Sequence, residues 1–499
     1  LEANGALVEE KPGKFKLVGN DSNLNKLVGK VDMTTSGSAY VEVEGLPDDV
    51  YIGEKDLGVA LHGDLVEVAV LRVKRNGKPI GKLVEVLERA QTEFVGTLQK
   101  SLKYAFLVPD SKRMPVDLFI PLDKLMGAKD GEKVIAKLGE WPKNADSPFG
   151  EIIKVLGKPG ENETEMHSIL AEYGLPYEFP EAIEEFANKI DTSIQESEIK
   201  KRRDMRKDLT FTIDPKDAKD FDDALSFKTL ENGNYEIGIH IADVSHYLKE
   251  GTILDDEAFE RATSVYLVDR VVPMLPEILS NGACSLRPHE EKYTFSTVFE
   301  INKKAEVVNQ WFGRTVTYSD ARFAYEEAQQ IIEANQDNTT ELNTHIPADI
   351  SITDTAYEVD KPIAEAILEL DRLAKIIRTK RMNNGAISFD KVEVRFKLDQ
   401  TNNPEGVYFK ESKDANKLIE EFMLLANKEV AKRVALSSKH SNPIIYRVHD
   451  SPDIEKVNTF ILFLNKFDLK LNINSEEDIT KAINELLESI KDREEYSFI

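Results

Sequence analysis

Five aspartates fall within ten residues of the segment 212-TIDPKDAKDFDDALSF-227, and carboxylates at this density can form a cation-binding or catalytic site. They are Asp214, Asp217, Asp220, Asp222 and Asp223. Carboxylates held this closely repel one another strongly at low dielectric, and a bound cation relieves that repulsion. The alternative is a solvated, turn-rich acidic loop. Apolar residues within the run favour a segment anchored to a core, because a solvated loop needs no such anchors. The anchors are Ile213, Phe221, Ala224 and Leu225.

A ligand set made only of oxygens favours a hard divalent cation. The acidic segment contains no His or Cys, and carboxylates without such neighbours select Mg²⁺ or Mn²⁺ over zinc. Two such ions about 3.5–4 Å apart can hold a nucleophilic water and stabilise the leaving oxygen of a phosphodiester. The sequence therefore predicts metal-assisted hydrolysis of a phosphoester.

A basic stretch directly precedes the acidic segment. Residues 200-KKRRDMRKD-208 include six basic and two acidic side chains. Basic side chains beside a metal site suit a polyanionic substrate, whereas the alternative is a solvated helix face. A Ser-His-Asp hydrolase built on His240, His246 or His449 is disfavoured, because the sequence has no Gly-x-Ser-x-Gly turn. The single cysteine, Cys284, is interpreted as a small core residue.

Length and composition place these residues in a multidomain protein. The chain has 499 residues, of which 41% are hydrophobic and 31% charged, as in folded domains. One cysteine excludes an internal disulfide framework and favours a reducing cytosol. The sequence has neither a long apolar run nor a signal-peptide pattern, so we predict a cytoplasmic location and no membrane partner. The net charge of −25 falls mostly after residue 160, where an acidic shell can surround a locally basic channel.

The first half of the chain has the all-β pattern of short strands separated by Gly, Pro, Asp and Asn. The clearest strands are 39–45, 65–73, 94–99 and 104–108. This pattern repeats, because Gly29 and Gly96 open similar stretches at an offset of 67, and Gly63-Asp64 matches Gly131-Glu132 at an offset of 68. Two copies of a β-unit of roughly 65 residues indicate two small barrels.

After a linker at 157–165 the sequence changes to helical periodicity mixed with strands. Helices are predicted over 362–382, 415–436 and 476–490, and strands over 235–248 and 392–398. These elements predict an α/β or α+β domain of more than 300 residues.

The motif Asp-Pro-x-x-Ala-Lys-Asp-Phe-Asp-Asp-Ala at 214–224 resembles the signature of the RNB catalytic domain found in ribonuclease II and ribonuclease R. Six further segments resemble other blocks of that domain in the same order. They are 239-IHIADVSHY-247, 264-SVYL-267, 284-CSLRP-288, 385-GAISF-389, 418-LIEEFMLLAN-427 and 446-YRVHD-450. The two β-repeats resemble the paired cold-shock barrels that precede this domain. The resemblance covers about residues 25–499.

The resemblance implies a multidomain fold of two all-β OB/cold-shock barrels followed by an α/β (α+β) RNB catalytic domain. We expect a tail or the remnant of a preceding domain in 1–25, barrels in 26–88 and 89–160, and the catalytic domain in 161–499. The family's Ser-Pro-Ile-Arg-Arg-Tyr run, whose arginine assists cleavage, is absent from this sequence. We therefore expect the chain to be C-terminally incomplete relative to the family.

The same resemblance assigns roles to individual residues. It implies that Asp214, Asp220, Asp222 and Asp223 hold two divalent metal ions and support catalysis. The expected ion is Mg²⁺, for which Mn²⁺ can substitute. Asp217 falls at a variable position of the motif. Which aspartate binds which ion is left open.

RNA contacts are also implied by the resemblance. Tyr266 matches an aromatic that stacks on the 3′-terminal base, and Phe389 matches one that clamps the last nucleotides from the other side. Glu420 and Glu421 match an acidic pair that contacts RNA sugar hydroxyls. Stacking is indifferent to base identity, and a carboxylate that reads a 2′-OH favours RNA over DNA. Taken singly, the aromatics could be core residues and the glutamates a solvated helix face.

The resemblance thus implies a processive, Mg²⁺-dependent 3′→5′ exoribonuclease that degrades single-stranded RNA to nucleoside 5′-monophosphates. We expect a monomer, and the segment 385–389 favours the ribonuclease R branch over ribonuclease II. The alternatives are a catalytically silent RNA-binding protein of the same fold and an endonuclease, which differs in product size.

Overall fold

The structure is a computed structural model of the chain. It describes residues 7–11, 14–17, 26–34, 36–73, 78–142, 145–336, 341–387, 392–400, 402–436, 445–448, 452–471, 473, 479–491, 493 and 496. The chain divides into two compact units, Leu1–Phe179 and Pro180–Ile499.

The first unit begins with a short antiparallel pair and continues into a closed five-stranded barrel. The pair is β1 (Leu7–Lys11) and β2 (Lys14–Leu17). The barrel strands are β3 (Lys26–Met33), β4 (Ala39–Glu42), β5 (Val50–Ile52), β6 (Leu65–Val73) and β7 (Pro79–Glu88), with helix α1 (Glu54–Leu57) between β5 and β6. Strand β4 alternates buried and exposed residues, as the period of a half-buried strand requires. Its buried residues, Ala39 and Val41, point into the barrel core.

A second five-stranded sheet repeats this arrangement. Its strands are β8 (Glu93–Lys100), β9 (Ala105–Pro109), β10 (Leu118–Ile120), β11 (Lys133–Leu138) and β12 (Gly150–Gly157). Strand β5 closes the first barrel by parallel pairing with β7, and a parallel bridge between Phe119 and Phe149 takes the equivalent place in the second. The predicted repeat and the two barrels are confirmed.

The repeat extends to individual hydrogen bonds. In the first barrel, Val31 N donates to Asp64 O at 3.0 Å and Gly63 N donates to Val31 O at 2.7 Å. In the second, Leu98 N donates to Glu132 O at 2.9 Å and Gly131 N donates to Leu98 O at 2.8 Å. Gly63 and Gly131 have φ of 85° and 81°, a left-handed conformation that favours glycine.

Helix α2 (Asn162–Glu172) packs on the second barrel, although the sequence placed residues after 160 in the catalytic domain. Lys133 on β11 shows the connection, because its Nζ bonds Glu165 of α2 at 3.0 Å and Asp110 at 2.7 Å. The division between the two compact units falls later, after Phe179.

The second unit is built on a seven-stranded mixed sheet with the order β13-β20-β19-β16-β15-β14-β21. The strands of this sheet are β13 (Arg203–Asp204), β14 (Leu209–Asp214), β15 (Asp223–Thr229), β16 (Tyr235–Ala242), β19 (Glu291–Ile301), β20 (Val307–Tyr318) and β21 (Ala321–Ala324). The unit also has three two-stranded pairs: β17 (Val265–Tyr266) with β18 (Val271–Val272), β22 (His345–Ile346) with β23 (Tyr357–Glu358), and β24 (Glu393–Leu398) with β25 (Pro404–Lys410). Parallel pairing occurs at the two edges of the seven-stranded sheet, where β13 joins β20 and β14 joins β21.

Helices cover one face of this sheet. The helices of the unit are α3 (Glu181–Ala187), α4 (Glu196–Ile199), α5 (Val244–Tyr247), α6 (Ile253–Arg261), α7 (Tyr325–Ala334), α8 (Lys361–Asn383), α9 (Asp414–Leu436), α10 (Ile454–Leu464) and α11 (Ile479–Ile490). The core joins Phe211 and Leu225 of the sheet to Ile331, Leu370 and Phe422 of α7, α8 and α9. The fold class predicted from the sequence, two β-barrels followed by a mixed α and β domain, is confirmed.

Most predicted elements of this unit are present, and one needs correction. Helices α8, α9 and α11 and strand β24 lie where periodicity placed them. The strand predicted over 235–248 ends at Ala242, and α5 follows it. The turn has a packing cause, because Tyr247 leaves the sheet to lie against His246 and Tyr293. Among the residues the structure describes, no helix has both the length and the apolar composition needed to cross a membrane.

Candidate active site

The four predicted aspartates lie on the connection from β14 to β15, at one end of the sheet. Asp214 ends β14 and Asp223 begins β15, whereas Asp220 and Asp222 lie in the loop between them. The expected apolar anchors are all buried; they are Ile213, Phe221, Ala224 and Leu225. The acidic segment is therefore anchored to the core, as the sequence predicted, and is not a solvated loop.

The carboxylates are close enough to perturb one another. Burial raises the pKa of Asp214 to about 7, and repulsion from Asp223 adds to it while Arg322 opposes it. Burial also raises the pKa of Asp223 to about 6, with a contribution from Asp222. Partial desolvation and the charge of Asp220 raise the pKa of Asp222. The structure therefore brings the four aspartates into one electrostatic cluster whose negative charge is incompletely compensated.

One oxygen of this cluster has no hydrogen-bond partner. Asp214 is 8% exposed, and its Oδ2 is buried and accepts no hydrogen bond. A buried carboxylate oxygen without a partner is costly, and a hard cation beside it would remove that cost. Within the described ranges, no three His, Cys, Asp or Glu side chains stand close enough to ligate one ion as they are placed. The donor chemistry, carboxylate oxygens without nitrogen or sulfur ligands, fits a hard divalent cation.

Tyr266 lies beside the aspartate cluster. Its hydroxyl donates to Asp220 Oδ2 at 3.0 Å, and the residue is 65% exposed. Burial of the hydroxyl end and the charge of Asp220 raise the pKa of Tyr266 to about 12, so the hydroxyl keeps its proton at neutral pH. The side chain is thus fixed at its tip and open to solvent on its ring, unlike a core tyrosine. Phe389 lies outside the described residues.

The two glutamates predicted to contact RNA differ in their surroundings. Glu420 is exposed, whereas Glu421 is fully buried. Arg381, near the end of α8, binds both of them: its Nη2 donates to Glu420 at 3.0 Å, and its Nε donates to both oxygens of Glu421 at 3.1 Å. Arg378 adds a second cation 3.6 Å from Glu421. A solvated helix face does not describe Glu421, and a sugar hydroxyl would have to displace Arg381 to reach it.

The basic stretch at 200–208 divides into three exposed lysines, Lys200, Lys201 and Lys207, and three arginines that are paired with acidic residues. Arg202 is buried and its Nη1 lies 2.8 Å from Asp243. Arg203 pairs with Glu236 at 2.8 Å, and Arg206 pairs with Glu291 at 3.0 Å. Each of these three guanidinium groups is paired with an acidic residue of the sheet unit. The three arginines therefore form neither an unpaired surface for a polyanion nor a solvated helix face.

The histidine and cysteine chemistry disfavoured from the sequence finds no support among the described residues. His240 is buried between Ser296 Oγ at 2.7 Å and Ser226 Oγ at 2.9 Å, and burial lowers its pKa to about 3. Cys284 is 4% exposed, and burial raises its pKa to about 12, so it remains an unreactive thiol. The interpretation of Cys284 as a core residue is confirmed. His449 lies outside the described residues.

Three residues to which the sequence analysis assigned no role also border the cluster. Tyr325 begins α7, and burial, then the charges of Asp214 and Asp223, raise its pKa. Arg322 and Ser285 bind the backbone of the aspartate loop. They lie 60 to 110 positions along the chain from the loop. Only the parallel pairing of β14 with β21 brings Arg322 and Tyr325 to it, and no local pattern could have shown this.

The barrels carry aromatic side chains on their surfaces that the sequence analysis also missed. On the second barrel four rings form an edge-to-face row with centroid spacings of 5.8, 5.5 and 5.5 Å. They are Tyr104, Phe106, Phe119 and Phe149, and the two end rings are exposed. On the first barrel Tyr40 and Tyr51 form a similar pair at 5.5 Å. The alternation of β9 would have indicated Phe106 as the outward aromatic.

Comparison with family models identifies three regions of the chain. Residues 202–498 match the RNB domain, residues 106–180 match a cold shock domain, and residues 29–86 match a ribonuclease B OB domain. The RNB match covers more than half of the chain.

Comparison with known proteins agrees with these matches. Ribonuclease R of Thermotoga maritima is 34% identical over 99% of this chain and 66% of its own length. The structure of Mycoplasma genitalium RNase R in complex with ribose-methylated single-stranded RNA has a TM-score of 0.81 and 25% identity, covering 94% of this chain and 71% of that one. Yeast Ssd1, described as a pseudonuclease, shares the fold with a TM-score of 0.62 at 19% identity, covering 92% of this chain and 60% of its own. This chain thus spans about two thirds of the length of the ribonuclease R relative.

Proposed function

The chain belongs to the RNB-domain exoribonuclease family, and from this premise we propose that it is a metal-dependent 3′→5′ exoribonuclease. It would degrade single-stranded RNA processively and release nucleoside 5′-monophosphates. One observation carries the proposal: a buried oxygen of Asp214 has no hydrogen-bond partner, in a loop where the neighbouring carboxylates of Asp223 and Asp222 help to raise its pKa. A protein without a cation to bind there would gain stability by replacing such a group.

The four aspartates would hold Mg²⁺, with Mn²⁺ as a substitute. Bound there, the metal supplies a water activated for attack and compensation for the charge on the scissile phosphate. The protein's own contribution is position: Asp214 and Asp223 are fixed at strand ends, and Asp220 is tied to Tyr266 through a 3.0 Å hydrogen bond. Because the pKa values of Asp214 and Asp223 are raised to about 7 and about 6, a cation would have to displace protons from both carboxyls, and its binding would strengthen as the pH rises.

Tyr266 would place the 3′-terminal nucleotide. Its ring is open to solvent while its hydroxyl is held at Asp220, so a base stacked on the ring would lie next to the aspartates. Stacking accepts any base, which suits degradation independent of sequence. We propose that Phe389 clamps the last nucleotides from the other side.

The glutamates would contribute to the choice of sugar. Glu420, exposed on α9, is the more accessible acceptor for a 2′-hydroxyl. Glu421 would hold Arg381 next to Glu420, and it could contact the 2′-hydroxyl itself only after RNA displaces Arg381. The exposed aromatics of the two barrels supply further stacking surfaces for single-stranded RNA. We propose a monomer in the cytoplasm as the working form.

A gel time course with a 5′-labelled single-stranded RNA tests the proposal. With Mg²⁺ the label should pass from full length to a short end product without accumulation of intermediate lengths, and with EDTA it should remain at full length. Asp222→Asn should abolish degradation. Asp217→Asn is the matched control, because it removes an exposed carboxylate from the same loop outside the proposed ligand set. Degradation that survives in Asp222→Asn, or in EDTA, would overturn the proposed chemistry.

A second candidate is a catalytically silent RNA-binding protein of the same fold. One observation favours it: no three candidate ligands in the described part of the chain are already close enough for one ion. Calorimetric titration separates the two candidates. A silent binder should bind RNA and show no aspartate-dependent uptake of Mg²⁺ or Mn²⁺. The nuclease should show RNA binding and aspartate-dependent metal uptake.

A further inference from the structure

The loop at 215–221, between the outer aspartates, has little backbone structure of its own. Pairing of β14 with β15 stops at Phe211 and Leu225, before the loop begins. Within the loop, a backbone hydrogen bond from Ala218 N to Pro215 O, at 3.1 Å, closes one turn. The distance between Asp214 and the loop aspartates therefore depends on groups outside the loop.

Arg322 holds the first half of this loop. It lies on β21, where it pairs with Thr212 just before the acidic cluster. Its Nη2 donates to three loop carbonyl oxygens, those of Pro215 at 3.2 Å, Lys216 at 2.8 Å and Ala218 at 3.4 Å. Its guanidinium carbon also lies 4.6 Å from the ring centre of Phe221, a cation–π distance. A lysine could not reproduce this planar, multiply bonded contact.

Ser285 and its neighbour hold the second half. Ser285 is fully buried, and its Oγ accepts from Phe221 N at 3.0 Å and donates to Lys219 O at 3.1 Å. The next residue, Leu286, donates its N–H to Phe221 O at 2.8 Å. The peptide groups on either side of Asp220 are thus fixed by a segment more than sixty positions away. This gives the segment 284-CSLRP-288 a structural task, since its cysteine is an inert core residue.

We propose that Arg322 and Ser285 are positioning residues that set the spacing of Asp214 from Asp220 and Asp222, and thereby the affinity of the site for a divalent cation. Neither residue is proposed to touch the cation. The inference rests on the proposed function, in which the aspartates bind a divalent cation. Groups that orient metal ligands typically change metal affinity by about 10- to 100-fold when they are removed.

Mn²⁺ binding to the full 499-residue chain, without RNA, measures this effect directly. We expect Arg322→Gln and Ser285→Ala each to weaken Mn²⁺ binding about tenfold or more. Two matched controls remove similar groups elsewhere. Arg261→Gln removes a different arginine, which is buried and binds Glu257 at 2.8 Å, and Ser280→Ala removes a hydroxyl that donates to a backbone carbonyl. Both controls should keep the wild-type affinity.

Unfolding in EDTA, measured on the same variants, separates positioning from loss of the fold. The proposal requires that Arg322→Gln unfold cooperatively near the temperature of Arg261→Gln and still bind Mn²⁺ more weakly. Arg322→Lys keeps the charge without the planar contact and should remain weak; wild-type affinity in this variant would overturn the proposal. Unchanged affinity in both Arg322→Gln and Ser285→Ala would also overturn it while leaving the proposed function standing. Absence of Mn²⁺ binding by the wild type would instead contradict the proposed function.

Discussion

Replacing Asp214 by asparagine should stabilise the metal-free protein while removing its response to metal. In the folded chain burial raises the pKa of this carboxyl from its ordinary value of 3.8 to about 7. Each pKa unit corresponds to about 1.4 kcal/mol, so the ionised group destabilises the fold by up to about 4 kcal/mol at pH 8. Part of this cost belongs to repulsion from Asp223, and a buried amide also needs partners. We therefore expect Asp214→Asn to gain about 2 to 4 kcal/mol.

The pH dependence of this gain has a defined sign. Below pH 3.8 the carboxyl is protonated in both the folded and the unfolded chain, and no penalty exists. As the pH rises the unfolded chain ionises first, so the penalty grows until about pH 7 and is constant above it. The advantage of Asp214→Asn should consequently be larger at pH 8 than at pH 5, by about 2 to 3 kcal/mol.

Urea unfolding in EDTA, followed by tryptophan fluorescence, measures the effect. The chain has two tryptophans, and Trp311 lies on β20 of the sheet that carries Asp214. A Trp141→Phe background therefore reports this unit alone. Asp217→Asn, at an exposed position of the same loop, should change stability little. Added Mg²⁺ should stabilise the wild type but not Asp214→Asn. Equal or lower stability of Asp214→Asn at pH 8 would refute the reasoning, because the buried charge would then carry no cost.

Three further substitutions probe the surrounding fold. His240 stays neutral in the folded chain but is protonated in the unfolded chain below pH 6.5. Lowering the pH from 8 to 5 should therefore reduce the free energy of unfolding of the wild type by about 2 kcal/mol, a loss that His240→Gln should not show in urea unfolding at the two pH values. Gly96→Ala would place a Cβ 2.2 Å from a carbonyl oxygen of the facing strand, so it should lower the melting temperature of the barrel unit, whereas Gly53→Ala, which meets open space, should not. Arg381→Met should destabilise by about 3 kcal/mol in the same unfolding assay because Glu421 stays buried, and adding Glu421→Gln should recover much of the loss.

Local patterns were sufficient for the elements of this protein and for the acidic motif. Alternation in β4 and the matching glycines at 29 and 96 predicted the barrels, because each reflects backbone geometry that neighbouring residues determine. Both glycines prove necessary for the same reason, since a Cβ at either position would strike a backbone carbonyl oxygen. The acidic motif was equally visible, because its carboxylates and its anchors are contiguous in the chain.

Contacts between distant segments were not predictable in this way. The basic stretch at 200–208 suggested an open cationic patch, but Arg203 and Arg206 pair with Glu236 and Glu291, on strands that the tertiary fold brings alongside. Arg322 gave no sequence signal for its role, since its three acceptors are backbone carbonyls of a loop more than 100 positions earlier. Glu421 resembled its exposed neighbour, and only the packing of α8 against α9 distinguishes the two.

The first product released from a 3′-end-labelled single-stranded RNA shows whether the aspartate site removes single nucleotides from the 3′ end. The wild-type chain is incubated with the RNA in Mg²⁺, in parallel with Asp222→Asn and with an EDTA control, and early products are identified by thin-layer chromatography. We expect the first labelled product of the wild type to be a nucleoside 5′-monophosphate, and neither control should release it. Labelled fragments of several nucleotides would indicate an endonuclease, and intact RNA bound by the wild type in Mg²⁺ would contradict catalysis at these aspartates.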